Sequence, residues 1–334
     1  MIPITKPFLP PKQELYELID RIYANGIVTN NGPMIQNLEK QMSEFLKVQH
    51  LNFVSNGTVA LQIAIKALGL KGKIITTPFS YIATTAAIVW ENCIPVFADI
   101  NADTFNIDPD SIEKLVDDQT VAILATHVFG NPCEIDRIQE IANRYKLKVI
   151  YDAAHCFGTT WKNTGVLSFG DVSTLSTHAT KLFNTIEGGA IVTSNIELHE
   201  SIRRMRSFGH DGPYNFTGLG INGKNSELHS AFGLLNLKYI EDIINRRRQI
   251  SEVYDELLKN SGTRKQRLQY GTCYNYSYYP RLFNSEKSLL KVLGALEKNN
   301  VFPRRYFYPS LTDLDYTDGD AITAVDVASR ILCL

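Results

Sequence analysis

The chain has 334 residues, 44% of them hydrophobic and 21% charged, with 34 basic and 35 acidic side chains and a net charge of -1. That is a globular composition, with length for one large and one smaller folding unit. The even charge balance excludes a broad basic surface for nucleic acid or an anionic membrane, and no run of about 18 apolar residues is present to cross a bilayer.

Five cysteines, at 93, 133, 156, 273 and 333, are odd in number, widely spaced and without a CxxC pair. This argues against a disulfide framework and a structural zinc site, and histidines and cysteines never cluster at ligand spacing, so no metal is expected. The opening Met1-Ile2-Pro3-Ile4-Thr5-Lys6-Pro7 has no apolar leader, so a cytoplasmic location is expected. Glycosylation sequons at Asn56, Asn215 and Asn275 are read as chance matches.

Residues 12–25 read as a first helix: Leu15, Leu18, Ile19 and Ile22 recur at three- and four-residue steps, and Gly26 follows as a stop. Past Asn30-Asn31-Gly32-Pro33, the stripe Leu38, Met42, Phe45 and Leu46 marks a second helix. The pattern then alternates, with strands at 51–54, 73–76, 94–98, 121–126 and 148–151 and helices at 58–68, 80–91 and 134–145. Apolar strands alternating with helices predict an α/β fold, a mostly parallel sheet with helices on both faces. Its ligand is expected beyond the carboxyl ends of the strands, at the loops starting at Ser55, Thr77, Thr126 and Asp152. Two more strands, at 172–176 and 190–194, flank Ser176-Thr177-His178-Ala179-Thr180-Lys181.

A helix at 196–208 and a glycine-rich loop at 210–224 follow, then one long helix from Ser226 into the 250s. The run Arg246-Arg247-Arg248 on that helix reads as a solvated face. Beyond Gly262 the texture changes to a tyrosine-dense, strand-like 270–279, a helix at 287–298, a strand-like 301–308 and the start of a helix and strand at 324–334. The predicted division is a large α/β domain at 1–240, opening with a helical segment at 1–48, and a small C-terminal α+β domain at 241–334, truncated at its end.

Several residues carry candidate chemistry, each beside a plainer reading. Lys181 follows a strand, five residues after Ser176 and shortly before Gly188-Gly189. A partly buried amine there becomes a nucleophile, whereas most lysines are simply solvated. Asp152 ends a strand and precedes Ala153-Ala154-His155; it is either a carboxylate facing a ring nitrogen or a cap or ion pair. Asn56-Gly57-Thr58 offers backbone N–H groups to a phosphate, or merely caps a helix. Tyr81, opening a helix, stacks on a ring or packs in the core. His178 packs or lines the site. Arg304, Arg305, Tyr306 and Tyr308 are substrate contacts or a solvated strand with packed tyrosines. Gly218-Leu219-Gly220-Ile221-Asn222-Gly223 matches the dinucleotide fingerprint GxGxxG but follows a polar loop instead of a strand, and is rejected on that ground.

Asn56-Gly57-Thr58, Pro78-Phe79-Ser80-Tyr81, Tyr151-Asp152-Ala153-Ala154-His155, Ser176-x-His178-x-x-Lys181, and Gly220-Ile221-Asn222 before Ser226-Glu227-Leu228 stand in this order and spacing. Together they resemble the DegT/StrS family of pyridoxal-phosphate sugar aminotransferases, from Gly26 to about Tyr308. The opening residues 3–11 and the block 180–189 are most similar to the members that convert dTDP-4-keto-6-deoxyglucose to dTDP-viosamine. The resemblance implies a fold-type-I, aspartate-aminotransferase-like architecture and a homodimer with shared active sites. It implies pyridoxal 5'-phosphate held as a Schiff base on Lys181, with pyridoxamine phosphate as intermediate. It further implies a nucleotide-linked 4-keto-6-deoxy sugar and L-glutamate as substrates, and a place in O-antigen and lipopolysaccharide synthesis.

Carried over residue by residue, Asp152 pairs with the pyridine nitrogen, Tyr81 stacks on the ring and His155 lies near it. Gly57, Thr58 and Ser176 hold the phosphate, and Asn222 reaches the phosphate of the neighbouring subunit. Substrate contacts are expected of His178, Lys224, Arg305, Tyr306 and Tyr308. Asn222-Gly223-Lys224-Asn225 departs from the family's usual Asn-Tyr-Arg-Met, and family members usually continue a few dozen residues past Leu334. The rival readings are a GDP- or UDP-linked or 3-keto sugar as substrate, a dehydratase on the same frame (where His takes the lysine position), and a regulatory protein that binds the cofactor without turnover.

Overall fold

The structure is a computed structural model and describes residues 1–317 and 319–334. A two-residue strand β1 (Ile2–Pro3) precedes α1 (Lys12–Asn25) and α2 (Pro33–Leu46). Helix α1 stops where predicted: Gly26 takes a left-handed φ of 69° and returns its N–H to Ile22 O. Helix α2 buries Leu38, Met42 and Leu46 of its predicted stripe, and Phe45, the fourth, is partly buried.

The alternating region follows as β2 (His50–Val54), α3 (Gly57–Ala67), β3 (Lys73–Thr76), α4 (Ile82–Trp90), β4 (Ile94–Phe97), α5 (Pro109–Leu115), β5 (Thr120–Thr126), α6 (Ile135–Tyr145) and β6 (Lys148–Asp152). Short strands β7 (Thr160–Trp161) and β8 (Thr164–Gly165) lead to β9 (Val172–Ser176) and β10 (Gly189–Thr193). These build a seven-stranded sheet in the order β2-β10-β9-β6-β5-β3-β4. Strands β4, β3, β5, β6 and β9 pair in parallel, and β10 runs antiparallel to both its neighbours. Side chains of the central strands alternate between two apolar layers. Phe53, Ile75, Ile123 and Val149 face α2 and α6, while Val54, Ile74, Leu124 and Ile150 face α3, α4 and α7 (Ile196–Met205). The mostly parallel sheet with helices on both faces is therefore as predicted.

The predicted long helix from Ser226 is two helices, α8 (Glu227–Lys238) and α9 (Ile240–Leu257), broken at Tyr239. Helix α8 is buried on several sides, through Glu227, Ala231, Leu235 and Asn236 among others. Helix α9 buries only Ile240 and Ser251. The break thus falls where an interior helix becomes a surface one, and Tyr239 anchors it by hydrogen bonding to Glu14 and packing on Phe8.

Beyond it lie β11 (Arg264–Lys265), β12 (Thr272–Cys273), β13 (Pro280–Leu282), α10 (Glu286–Lys298), β14 (Val301–Phe302), α11 (Ile322–Arg330) and β15 (Ile331–Cys333). Within the strand-like 270–279 only β12 is a strand, because Gly271 and Tyr276 take φ values of 81° and 55° that interrupt an extended run. Likewise 301–308 yields only β14, since Pro303 follows at once and has no N–H for a ladder. Strands β11, β13 and β15 form a small sheet, but β1 joins β14 and β12 joins β7. Strand pairing therefore ties the C-terminal region to both the N-terminus and the central region across residue 240.

Candidate active site

Lys181 lies on the connection between the antiparallel strands β9 and β10, whose register pairs Ser176 with Gly189. That connection is stitched shut across its base. Thr177 N–H donates to Gly188 O, Ala179 N–H to Ile186 O and Thr185 N–H to Thr177 O, and the Thr177 and Thr185 hydroxyls meet at 2.6 Å. Glycine is required there: a Cβ on Gly188 would stand 2.2 Å from Thr185 Oγ1, and one on Gly189 would stand 2.6 Å from the Asn56 carbonyl.

The half-buried Lys181 amine enters a pocket of about 620 Å³ at the carboxyl ends of β5, β6 and β9. Burial lowers its pKa to about 8; the charge of Asp152 opposes that shift and the charge of Arg304 adds to it. Close to neutral pH a useful fraction of the amine is thus unprotonated.

Asp152, the last residue of β6, is only 6% exposed. Its Oδ1 accepts the Ala154 N–H at 3.1 Å and its Oδ2 accepts the Thr84 hydroxyl at 2.7 Å. Behind Thr84, the Ser80 hydroxyl lies 2.7 Å away and Thr126 a further 2.9 Å from Ser80. Each hydroxyl has one proton. Because Thr84 gives its proton to Asp152, Ser80 donates to Thr84 and Thr126 to Ser80. All three donors point toward the carboxylate in one cooperative chain.

The N-terminus of α3 borders the same pocket. Asn56 caps it by accepting from Val59 N–H at 2.8 Å, and Gly57, Thr58 and Ser176 line the pocket beside it. A Cβ at Gly57 would come within 2.9 Å of Ser176 Cβ, so glycine keeps this cradle open. Backbone N–H groups, two hydroxyls and a helix N-terminus suit a phosphate. An amine, a buried carboxylate and a phosphate cradle in one pocket fit pyridoxal phosphate. Lys181 would hold its aldehyde carbon, Asp152 its ring nitrogen, and Gly57, Thr58 and Ser176 its phosphate.

Tyr81 lines the same pocket with 53% of its surface exposed, which leaves a ring face free for stacking. It precedes α4 instead of lying inside it. His155 is buried, and burial, followed by the charge of Lys181, holds its pKa well below the usual value. Its Nδ1 accepts the Phe129 N–H at 3.1 Å, so Nε2 carries the proton. His178 also lines the pocket. Its Nδ1 is bonded to Thr180 and its Nε2 lies 3.5 Å from Glu187. Tyr306 joins from the C-terminal region.

The other expected residues lie elsewhere. Asn222 is exposed and bridges to Ser207. Lys224 borders a separate cavity of about 570 Å³ with Arg203, Arg206 and Asn31. Arg305 turns away, donating to Glu286 at 2.6 Å and to Ser329 O at 2.8 Å, with its guanidinium 3.5 Å from the ring centre of the exposed Tyr308.

Sequence reasoning gave no role to Thr84, Ser80, Thr126 or Glu187. The available signal was a run of hydroxyls at an apolar helix start: Ser80 two residues before α4 and Thr84 in its first turn.

The DegT/DnrJ/EryC1/StrS aminotransferase family model matches residues 11–334. The chain is 42% identical to a dTDP-4-amino-4,6-dideoxy-D-glucose transaminase of Shigella dysenteriae, across 99% of this chain and 92% of that protein. Identity to the Escherichia coli protein of the same description is 40%, across 100% and 93%. Among solved structures, DesI with its TDP-sugar product superposes with a TM-score of 0.92 at 31% identity, covering 98% of this chain and 86% of that one. This chain belongs to the DegT/DnrJ/EryC1/StrS family of aminotransferases.

Proposed function

We propose that the protein transfers the amino group of L-glutamate to C4 of dTDP-4-keto-6-deoxy-D-glucose, giving dTDP-4-amino-4,6-dideoxy-D-glucose and 2-oxoglutarate. The observation that carries this reading is near-complete alignment, at 40–42% identity, with two transaminases named for that product. The gathering of Lys181, Asp152 and the α3 N-terminus in one pocket supports the chemistry.

Bound pyridoxal phosphate supplies an electron-withdrawing ring that accepts negative charge from the carbon losing or gaining a proton. The protein's own groups do the rest. The Lys181 amine, once free, removes the proton from the donor's Cα and later delivers one to sugar C4. With a pKa of about 8 it is near the value at which one group serves as base and then as acid. Asp152, fixed by Thr84 and Ala154, would hold a proton on the ring nitrogen. Tyr81, at the pocket wall, would cover one ring face and limit water at the reacting carbon. The neutral His155 adds no positive charge to compete with Lys181.

In this reading the protein is a cytoplasmic homodimer, Asn222 and Lys224 serve the neighbouring subunit's pocket, and the product feeds an O-antigen or related surface polysaccharide. The large and small domains meet over the pocket, with the C-terminal one supplying Arg304 and Tyr306.

The test uses purified protein loaded with pyridoxal phosphate. L-Glutamate should convert the visible band to one near the amine form, and dTDP-4-keto-6-deoxy-D-glucose should restore it. Mass and NMR analysis should place the new amine at C4. Turnover with a GDP- or UDP-linked keto sugar but not with the dTDP sugar would refute the substrate assignment.

A further inference from the structure

The pocket is lined by two basic side chains, Lys181 and Arg304, and only the arginine stays charged throughout. Lys181 is committed to covalent and proton chemistry, which leaves Arg304 for an anion. Its neighbour shows what a structural arginine looks like here: Arg305 is tied to Glu286 and Ser329 O. Among the described residues, no carboxylate lies within ion-pair distance of Arg304. Its backbone is nevertheless fixed. Arg304 and Cys333 exchange two hydrogen bonds, of 3.1 and 2.8 Å. The guanidinium lies 4.5 Å from the centre of the Tyr306 ring, a cation–π contact that holds it beside the pocket.

Both substrates of the proposed reaction are anions, but their charges sit at different distances from the reacting carbon. The α-carboxylate of an amino-acid donor is one bond from the carbon that loses the amine. The diphosphate of a nucleotide sugar is attached at C1, across the ring from C4. Arg304 and Lys181 line one pocket, and the arginine's charge acts on the amine, which matches the nearer anion.

On these grounds the geometry points to Arg304 as the residue that receives the α-carboxylate of the amino donor, through a planar, two-bonded guanidinium–carboxylate pair. The assignment rests on the transaminase reading. A group so placed orients the Cα–H bond toward Lys181 each time a donor enters, and releases the pocket to the sugar once the oxo acid has left.

The test compares the cofactor-loaded wild type with Arg304→Gln and Arg304→Lys. Binding is measured as a spectral titration with α-methyl-L-glutamate, which has no Cα proton and cannot react further. The Kd should rise about 10- to 100-fold in Arg304→Gln, the range for losing a charge-assisted pair, and by less in Arg304→Lys. The single-turnover rate with L-glutamate should fall in parallel. The rate with 4-aminobutyrate, which has no carboxylate on its reacting carbon, should fall far less than the rate with L-glutamate. The reverse half-reaction with the dTDP-amino sugar should change only to the same small extent, through the lost charge beside Lys181, and it reports that the variant is folded and loaded.

Equal glutamate affinity in wild type and Arg304→Gln overturns the assignment alone. So does a loss confined to the sugar half-reaction, which would place the diphosphate at Arg304. A wild type that does not respond to glutamate overturns the transaminase reading, and this assignment with it.

Discussion

In the cofactor-free protein, Lys181→Met should increase stability at neutral pH and should do so in a pH-dependent way. The amine's pKa falls from 10.5 in the unfolded chain to about 8 in the folded one, chiefly through burial. That difference corresponds to about 3 kcal/mol against folding whenever the amine is charged. The sign follows from proton binding. Between pH 8 and 10.5 the unfolded chain holds the proton and the folded chain does not, so wild-type stability rises with pH across that window. Below pH 8 both states are protonated and the penalty is present in full.

Methionine removes the charge and keeps the volume. The variant should therefore be more stable by up to about 3 kcal/mol at pH 7, with the gain shrinking above pH 8 and vanishing by about pH 10.5. Urea unfolding of both cofactor-free proteins, followed by circular dichroism at pH 7, 9 and 10, measures the difference. A gap that does not change with pH, or a wild type more stable than the variant at pH 7, would refute the reasoning.

Other contacts make further predictions. Thr84→Val removes the hydroxyl that donates to Asp152 Oδ2; losing a hydrogen bond to a charged group costs about 1.5–3 kcal/mol, so turnover should drop at least tenfold while cofactor still binds, as read by absorbance and steady-state rate. Gly57→Ala should weaken cofactor binding about tenfold or more, because the new Cβ meets Ser176 at 2.9 Å within a phosphate cradle; fluorescence titration with pyridoxal phosphate checks it. Glu227 is fully buried and accepts the N–H groups of Met34 and Ile35 at 2.8 and 3.0 Å. Glu227→Ala should therefore destabilise the fold by about 2–3 kcal/mol, since it leaves two helix N–H groups unpaired; chemical denaturation measures this.

The backbone scaffold of the site was readable from the sequence because it is repetitive physics. Apolar runs of four or five residues alternating with amphipathic helices fix a parallel sheet, and the sheet fixes where its carboxyl-end loops gather. Asp152, Gly57 and Lys181 come together for that reason. Periodicity has nothing to say about a chain that crosses the sheet once more in reverse. The antiparallel β10 was seen as a strand, but its direction depends on the stitched base of 177–188, where Thr177 and Thr185 meet across eight residues. The break at Tyr239 was hidden for a related reason. Helix propensity continues through 226–257, and the kink records a change from interior to surface that only tertiary packing defines.

The adjacent arginines show where local pattern stops carrying information about a site. Arg304 and Arg305 are identical in chemistry and neighbouring in sequence, and both stand in a segment read as strand-like or substrate-facing. Alternation along an extended chain sends them to opposite sides. Which side is the pocket depends on the pairing of Arg304 with Cys333, a partner 29 positions later. Arg305 then falls against Glu286 and becomes structural, and Arg304 falls beside Lys181. A one-residue shift in that pairing would exchange the two roles and leave composition, charge and motif untouched. The identity of the pocket cation is therefore a property of strand register, and register here is set at the C-terminal strand, far along the chain from the lysine it serves.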